Sequence, residues 1–172
     1  DLGLRRGDRV FIFMDRLPEL YFAFFGTLKA GGVVGPLFSA FGPEPVRDRL
    51  QDSGASIFLT QPELREKVAG ILPECPDIKH IIVVNKDGRS TEDLADSDLS
   101  YEDLMMDASD DFGVVSTSMY DYSIMHYTSG TTGKPKGVLH TSGGYLVYAS
   151  MTHEYVFNYN QNDIYWCTAD IG

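Results

Sequence analysis

Hydrophobic positions in the first half of the chain alternate between two spacings. Arg9-Val10-Phe11-Ile12-Phe13-Met14 is a short apolar run of strand length. Pro18 then opens residues 19–30, whose apolar positions are dense enough for a buried helix, and Gly31-Gly32 ends it. Residues 33–37 read as the next strand. Pro43 and Glu44 start a helix through Asp52, closed by Ser53-Gly54, with Val46 and Leu50 at i, i+4 spacing. Residues 56–60, 62–70 and 80–84 continue the series as strand, helix and strand. Such alternation implies right-handed crossovers and a largely parallel sheet covered by helices, which is the α/β class.

The pattern lapses over residues 86–111 and returns afterwards. Residues 120–127 have strand character, a Gly/Thr/Lys loop follows, and residues 141–157 then read as a helix. Tyr145, Tyr148, Thr152 and Tyr155 fall near one face of it, and periodic aromatics of this kind are expected to pack into a core. Asp163-Ile164-Tyr165-Trp166-Cys167-Thr168 reads as a buried strand. A domain rarely stops right after one, so residues 1–172 are expected to be part of a larger domain.

Charge sharpens the lapse at 86–111. The 172 residues carry 14 Lys+Arg against 25 Asp+Glu, a formal net charge of −11. Residues 86–111 hold ten acidic and two basic residues and so supply −8 of that total. The composition predicts a solvated, partly mobile acidic connection. An overall acidic balance also argues against a nucleic-acid binder. With 43% hydrophobic and 12% aromatic residues the chain can bury a core. Its longest apolar stretches, such as 21–25 and 80–84, are far below the roughly 18–20 residues of a membrane span, so no membrane partner is expected. No secretory signal opens the sequence. Cys75 and Cys167 make no disulfide framework and suit a reducing, cytoplasmic location.

The chemistry is concentrated in Thr128-Ser129-Gly130-Thr131-Thr132-Gly133-Lys134-Pro135-Lys136-Gly137. Glycines let backbone N–H groups approach an anion, hydroxyls add neutral donors, and two lysines bring mobile positive charge. That set suits a polyphosphate. It is not a Walker A loop, because only Thr131 and Thr132 separate Gly130 from Gly133-Lys134, and Pro135 blocks a helix from starting directly behind the lysine. A small-residue linker would need neither lysine nor the proline between them.

This loop resembles the signature of the acyl-adenylate-forming superfamily, which includes acyl-CoA synthetases, adenylation domains of peptide synthetases and luciferases. Its continuation, Val138-Leu139-His140-Thr141-Ser142-Gly143-Gly144-Tyr145-Leu146, and residues 163–170 resemble the AMP-forming acetyl-CoA synthetase branch. Gly7-Asp8-Arg9-Val10 and Gly35-Pro36-Leu37-Phe38 are similar to that branch too. The resemblance implies the N-terminal AMP-binding domain of an enzyme using Mg·ATP, CoA and a short carboxylic acid. It implies that Thr128, Ser129, Gly130, Thr131, Thr132, Gly133, Lys134 and Gly137 hold the ATP phosphates, with Lys136 the recurrent, catalytic lysine and Lys134 auxiliary. It also implies a CoA-phosphate role for Arg65, whose companion arginine three residues on is here Val68, and the family's Gly-Gly near Ser39-Ala40 is altered. Asp170 would lie near the acyl and nucleotide pocket. The adenine and ribose contacts, and a C-terminal domain with a second catalytic lysine, would lie beyond residue 172, so the 172 residues alone are expected not to complete the reaction.

Acyl-chain length stays open at this point, with propionate or another short or medium acid as alternatives to acetate. A non-catalytic nucleotide-binding or interaction module is the alternative of another class. His126, His140 and His153 lack metal-ligand spacing, and no protein-bound metal is expected. Cys167 reads as a buried thiol, and no Gly-x-Ser-x-Gly elbow occurs.

Overall fold

The computed structural model describes residues 2–85, 94–129 (Ser129 by its backbone) and 135–165. The first strands and helices follow the apolar pattern closely: β1 (Arg9–Phe13), α1 (Pro18–Lys29), β2 (Val33–Leu37), α2 (Pro43–Ser53), β3 (Ile57–Thr60), α3 (Pro62–Lys67) and β4 (His80–Val83). Proline opens all three helices at the first turn, where its missing N–H costs nothing. Gly54 closes α2 in the left-handed region at φ 59°, a conformation only glycine adopts freely.

Seven strands form one sheet in the order β5-β4-β3-β1-β2-β6-β7. The five pairings from β5 to β6 are parallel, and β6 with β7 is antiparallel. The chain reverses direction of growth at β1, which pairs with β2 on one side and β3 on the other.

Alternation along β1 explains why its run is apolar throughout. Val10 and Ile12 face a layer with Leu17 and Leu20, while Phe11 and Phe13 face Val46 and Leu50 of α2 and Val68 beyond α3. A parallel strand buried on both faces reads as a continuous hydrophobic run. Phe11, Phe13 and Phe58 are fully buried, with the Phe13 and Phe58 rings stacked at 6.3 Å.

Several sequence expectations need correction. The helix expected at 62–70 ends at Lys67, and a 3-10 segment, Ala69–Glu74, carries the chain on around Pro73. The acidic connection is not solely a solvated link. It contains β5 (Asp98–Ser100) and α4 (Tyr101–Met106), with the Ser100 hydroxyl accepting from the Asp103 N–H at 3.1 Å. Leu99, Tyr101 and Leu104 pack on the sheet and help to anchor an otherwise acidic stretch. Its residues 86–93 lie outside the described residues.

The strand at 120–127 becomes β6 (Tyr122–Ser129). Residues 135–141, read from the sequence as part of the loop, form a strand, β7 (Pro135–Thr141). Pro135 begins an edge strand, where a lost ladder donor is tolerated, and Val138, Leu139 and Thr141 favour extended backbone. The helix expected over 141–157 is α5 (Ser142–Met151), with the Thr141 hydroxyl accepting from the Gly144 N–H at 3.1 Å, and it passes into a π turn at Thr152–Val156. Of its aromatic stripe only Tyr145 packs against the sheet. Tyr148 and Tyr155 are 73% and 72% exposed, because no described element covers that face. Residues 163–165 are not a strand, and Ile164 is exposed. Cys167 lies outside the described residues. Among the described residues no helix is long and apolar enough to cross a membrane.

Candidate functional site

The loop expected to hold phosphate joins the carboxyl end of β6 to β7. Because β6 runs parallel to β2, the loop begins at the sheet edge where the parallel strands end. In open α/β sheets that edge is where ligands bind. The ladder carries the flanks of the motif toward it in matched pairs: Tyr127 faces Gly137, Thr128 faces Lys136, and Ser129 faces Pro135. Thr128 and Lys136 are both exposed, and among the described residues Lys136 forms no ion pair. A hydroxyl and an ammonium therefore stand opposite one another at the last described rungs before the loop. Gly130, Thr131, Thr132, Gly133 and Lys134 lie outside the described residues, as does Asp170.

Gly137 has a steric role beneath this pair. A Cβ there would stand 3.2 Å from two ring carbons of Tyr127 and 2.7 Å from the Met125 methyl. The glycine thus lets the Tyr127 ring lie flat against β7. On its other side the ring meets Phe11 at 6.2 Å. The Tyr127 hydroxyl donates to Asp52 Oδ2 of α2 at 2.7 Å. Burial, followed by this bond, raises the pKa of that hydroxyl well above the ordinary tyrosine value.

Arg49, one turn earlier on α2, completes the cluster. Its guanidinium lies 4.4 Å from the Phe41 ring centroid and 5.5 Å from that of Tyr127, and Nη1 donates to the Pro45 carbonyl at 2.7 Å. The residue is 7% exposed, and Nε has no partner. Two aromatic faces and one carbonyl hold the charge, and burial lowers its pKa. Cation–π pairs removed from water contribute about 2 kcal/mol.

The opposite face of the hairpin carries two histidines. His126 and His140 stack edge to face at 5.7 Å, and His140 meets Tyr145 at 5.6 Å. Burial, and then the neighbouring His140, hold His126 below the ordinary histidine value.

Arg65 is not the solvent-facing group that its place on a short helix suggests. Nε and Nη2 bind Asp98 Oδ2 and Oδ1 at 2.8 and 3.2 Å, joining α3 to β5, and the Asp98 side chain is only 2% exposed. The structure thus keeps Arg65 apart from the hairpin cluster. Sequence reasoning missed Tyr127, Arg49, Asp52 and Phe41. The available signal was Arg49 lying beside Leu50 on the apolar side of its helix.

The model of the AMP-binding enzyme family matches residues 1–172, and the chain belongs to that family. It is 41% identical over 180 residues to an acetyl-coenzyme A synthetase of Syntrophus aciditrophicus, covering 99% of this chain and 28% of that protein. It is 39% identical over 183 residues to the acetyl-coenzyme A synthetase of Escherichia coli, covering 100% of this chain and 28% of that protein. The crystal structure of an acyl-CoA synthetase from Brucella canis superposes with a TM-score of 0.84 at 28% identity, over 98% of this chain and 29% of that one. The chain thus spans a little over a quarter of the length of these relatives.

Proposed function

We propose that these residues belong to the N-terminal AMP-binding domain of an AMP-forming acid–CoA ligase, with acetate as the first substrate to test and propionate as the runner-up. In the first half-reaction a carboxylate oxygen bonds to the α-phosphorus of Mg·ATP as the bond to pyrophosphate breaks. In the second, the CoA sulfur bonds to the acyl carbon, its proton passes to a base, and AMP leaves with the oxygen that came from the acid. The carboxylate is ionised near neutrality, at a reference pKa of roughly 4, so the first step needs positioning and charge stabilisation more than a base.

The observation that carries this reading is the exposed Thr128–Lys136 pair at the mouth of a hairpin whose loop sequence is rich in glycine, threonine and lysine. Lys136, with Lys134 and the hydroxyls and N–H groups of residues 128–133, would hold the β- and γ-phosphates and take up charge as pyrophosphate departs. Mg²⁺ would accompany the ATP. Asp170 would serve the acyl and nucleotide pocket. Arg65 is the candidate of this segment for CoA phosphates and would meet them with Asp98 already bound. A reducing, cytoplasmic setting goes with this reading.

The test is to supply the full-length protein with ATP, CoA and acetate labelled with oxygen-18 in the carboxylate. Label in the AMP is the expected outcome. Label in inorganic phosphate, with ADP as the nucleotide product, would indicate an acyl-phosphate route and sink the proposal.

A further inference from the structure

The cluster behind the hairpin is larger than packing alone requires. Tyr127 is the last residue before the candidate phosphate site, and its ring already fills the space between Phe11 and Gly137. A phenylalanine would fill the same space. The hydroxyl instead reaches across to α2 and donates to Asp52, while Arg49 of the same helix lays its guanidinium over the ring. Arg49 is buried and forms no ion pair among the described residues, so its charge stays with Tyr127, Phe41 and the Pro45 carbonyl. Apart from the ladder to β2, these polar and cationic links are what tie the β6–β7 hairpin to a helix on this face of the sheet. They act on the residue bonded to Thr128 and, through Gly137, on the residue bonded to Lys136.

From this geometry we propose that Tyr127, held by Asp52 and Arg49 of α2, is a positioning residue for the phosphate-binding hairpin, setting the direction in which Thr128 and Lys136 present their donors to ATP. The inference rests on the phosphate-binding reading above. It extends that reading to side chains that touch no phosphate themselves. Tyr127→Phe keeps the ring and loses the tie, and Asp52→Asn weakens the same tie from the helix side. Tyr127 acts through Thr128 and Lys136, so its loss is felt by ATP and not by the acid.

The experiment measures steady-state acetate-dependent ATP–pyrophosphate exchange in the full-length protein for Tyr127→Phe, Asp52→Asn and the double variant, with Lys136→Ala alongside. Tyr127→Phe is expected to raise the KM for Mg·ATP about fivefold, the scale of one ordinary hydrogen bond, and Asp52→Asn, whose amide oxygen still accepts, by less. The KM for acetate should stay unchanged, and the double variant should be no worse than Tyr127→Phe alone, because both changes act on the same bond. A purely structural role would lower the melting temperature and the amount of active enzyme while leaving both KM values alone. That result, or effects that multiply in the double variant, overturns the inference. If Tyr127→Phe does not fold, Asp52→Asn, altered at an exposed carboxylate, decides by the same KM comparison. Exchange that survives Lys136→Ala would count against the phosphate-binding reading itself. Exchange abolished by Lys136→Ala with an unchanged ATP KM in Tyr127→Phe would remove only the positioning role.

Discussion

His126 and His140 sit on neighbouring strands with Tyr145 against the second ring. A proton on His126 is disfavoured by burial and then by its histidine neighbour. The unfolded chain takes that proton near the ordinary value of about 6.5, whereas the folded hairpin takes it only at lower pH. The contribution of neutral His126 to stability is therefore complete above the ordinary histidine range and is lost as pH falls through its lower folded value. His126→Leu is expected to flatten the fall in melting temperature between neutral and mildly acidic pH. An unchanged slope in thermal melts would show that His126 does not titrate as its burial implies. This pair was visible in the sequence as two separate histidines. Their meeting depends on the β6–β7 register, and that register follows from β7 being a strand.

At the level of elements, the acidic segment shows where pattern reading stopped short. Its charge density concealed a strand and a helix, because among its described residues Leu99, Tyr101 and Leu104 face the sheet, Glu102 accepts from the Asn85 N–H, and Asp103 and Asp107 are exposed. What holds it in place is Arg65, whose fork binds Asp98 bidentately in a largely buried site. Arg65→Ala would leave the Asp98 carboxylate buried without its partner, a loss on the order of 3 kcal/mol. Urea unfolding should show that loss, and a value within experimental error of wild type would refute the anchoring role. The strands and helices from β1 to β4 were legible because each is buried on a face that its own periodicity defines. The β7 strand was not legible, since glycine and proline at its start read as loop and its ladder partner is distant in character. The loop's chemistry, by contrast, was legible in the residue types alone, and the Arg49–Tyr127–Asp52 cluster was not, because it joins residues 75 positions apart.

Across the whole molecule, the acidic segment and the proposed phosphate site occupy separate places. Asp96, Asp98, Glu102 and Asp103 lie on or beside β5 and α4 at one edge of the sheet, whereas Lys136 stands on β7 at the other edge. The sheet therefore separates these carboxylates from the proposed anion site, in line with a polyanionic substrate on an acidic chain. Phe22, Phe25, Leu146, Val147 and Tyr148 remain exposed on α1 and α5, in a chain that spans just over a quarter of its relatives' length. The central claim is that the β6–β7 hairpin grips the phosphates of ATP during acid activation. Acetate-dependent ATP–pyrophosphate exchange by full-length Lys136→Ala tests it most directly. A fall of at least about a hundredfold, the scale of losing one charged stabiliser of the transition state, with an unaltered melting temperature, is the predicted result. Exchange at the wild-type rate would contradict the account.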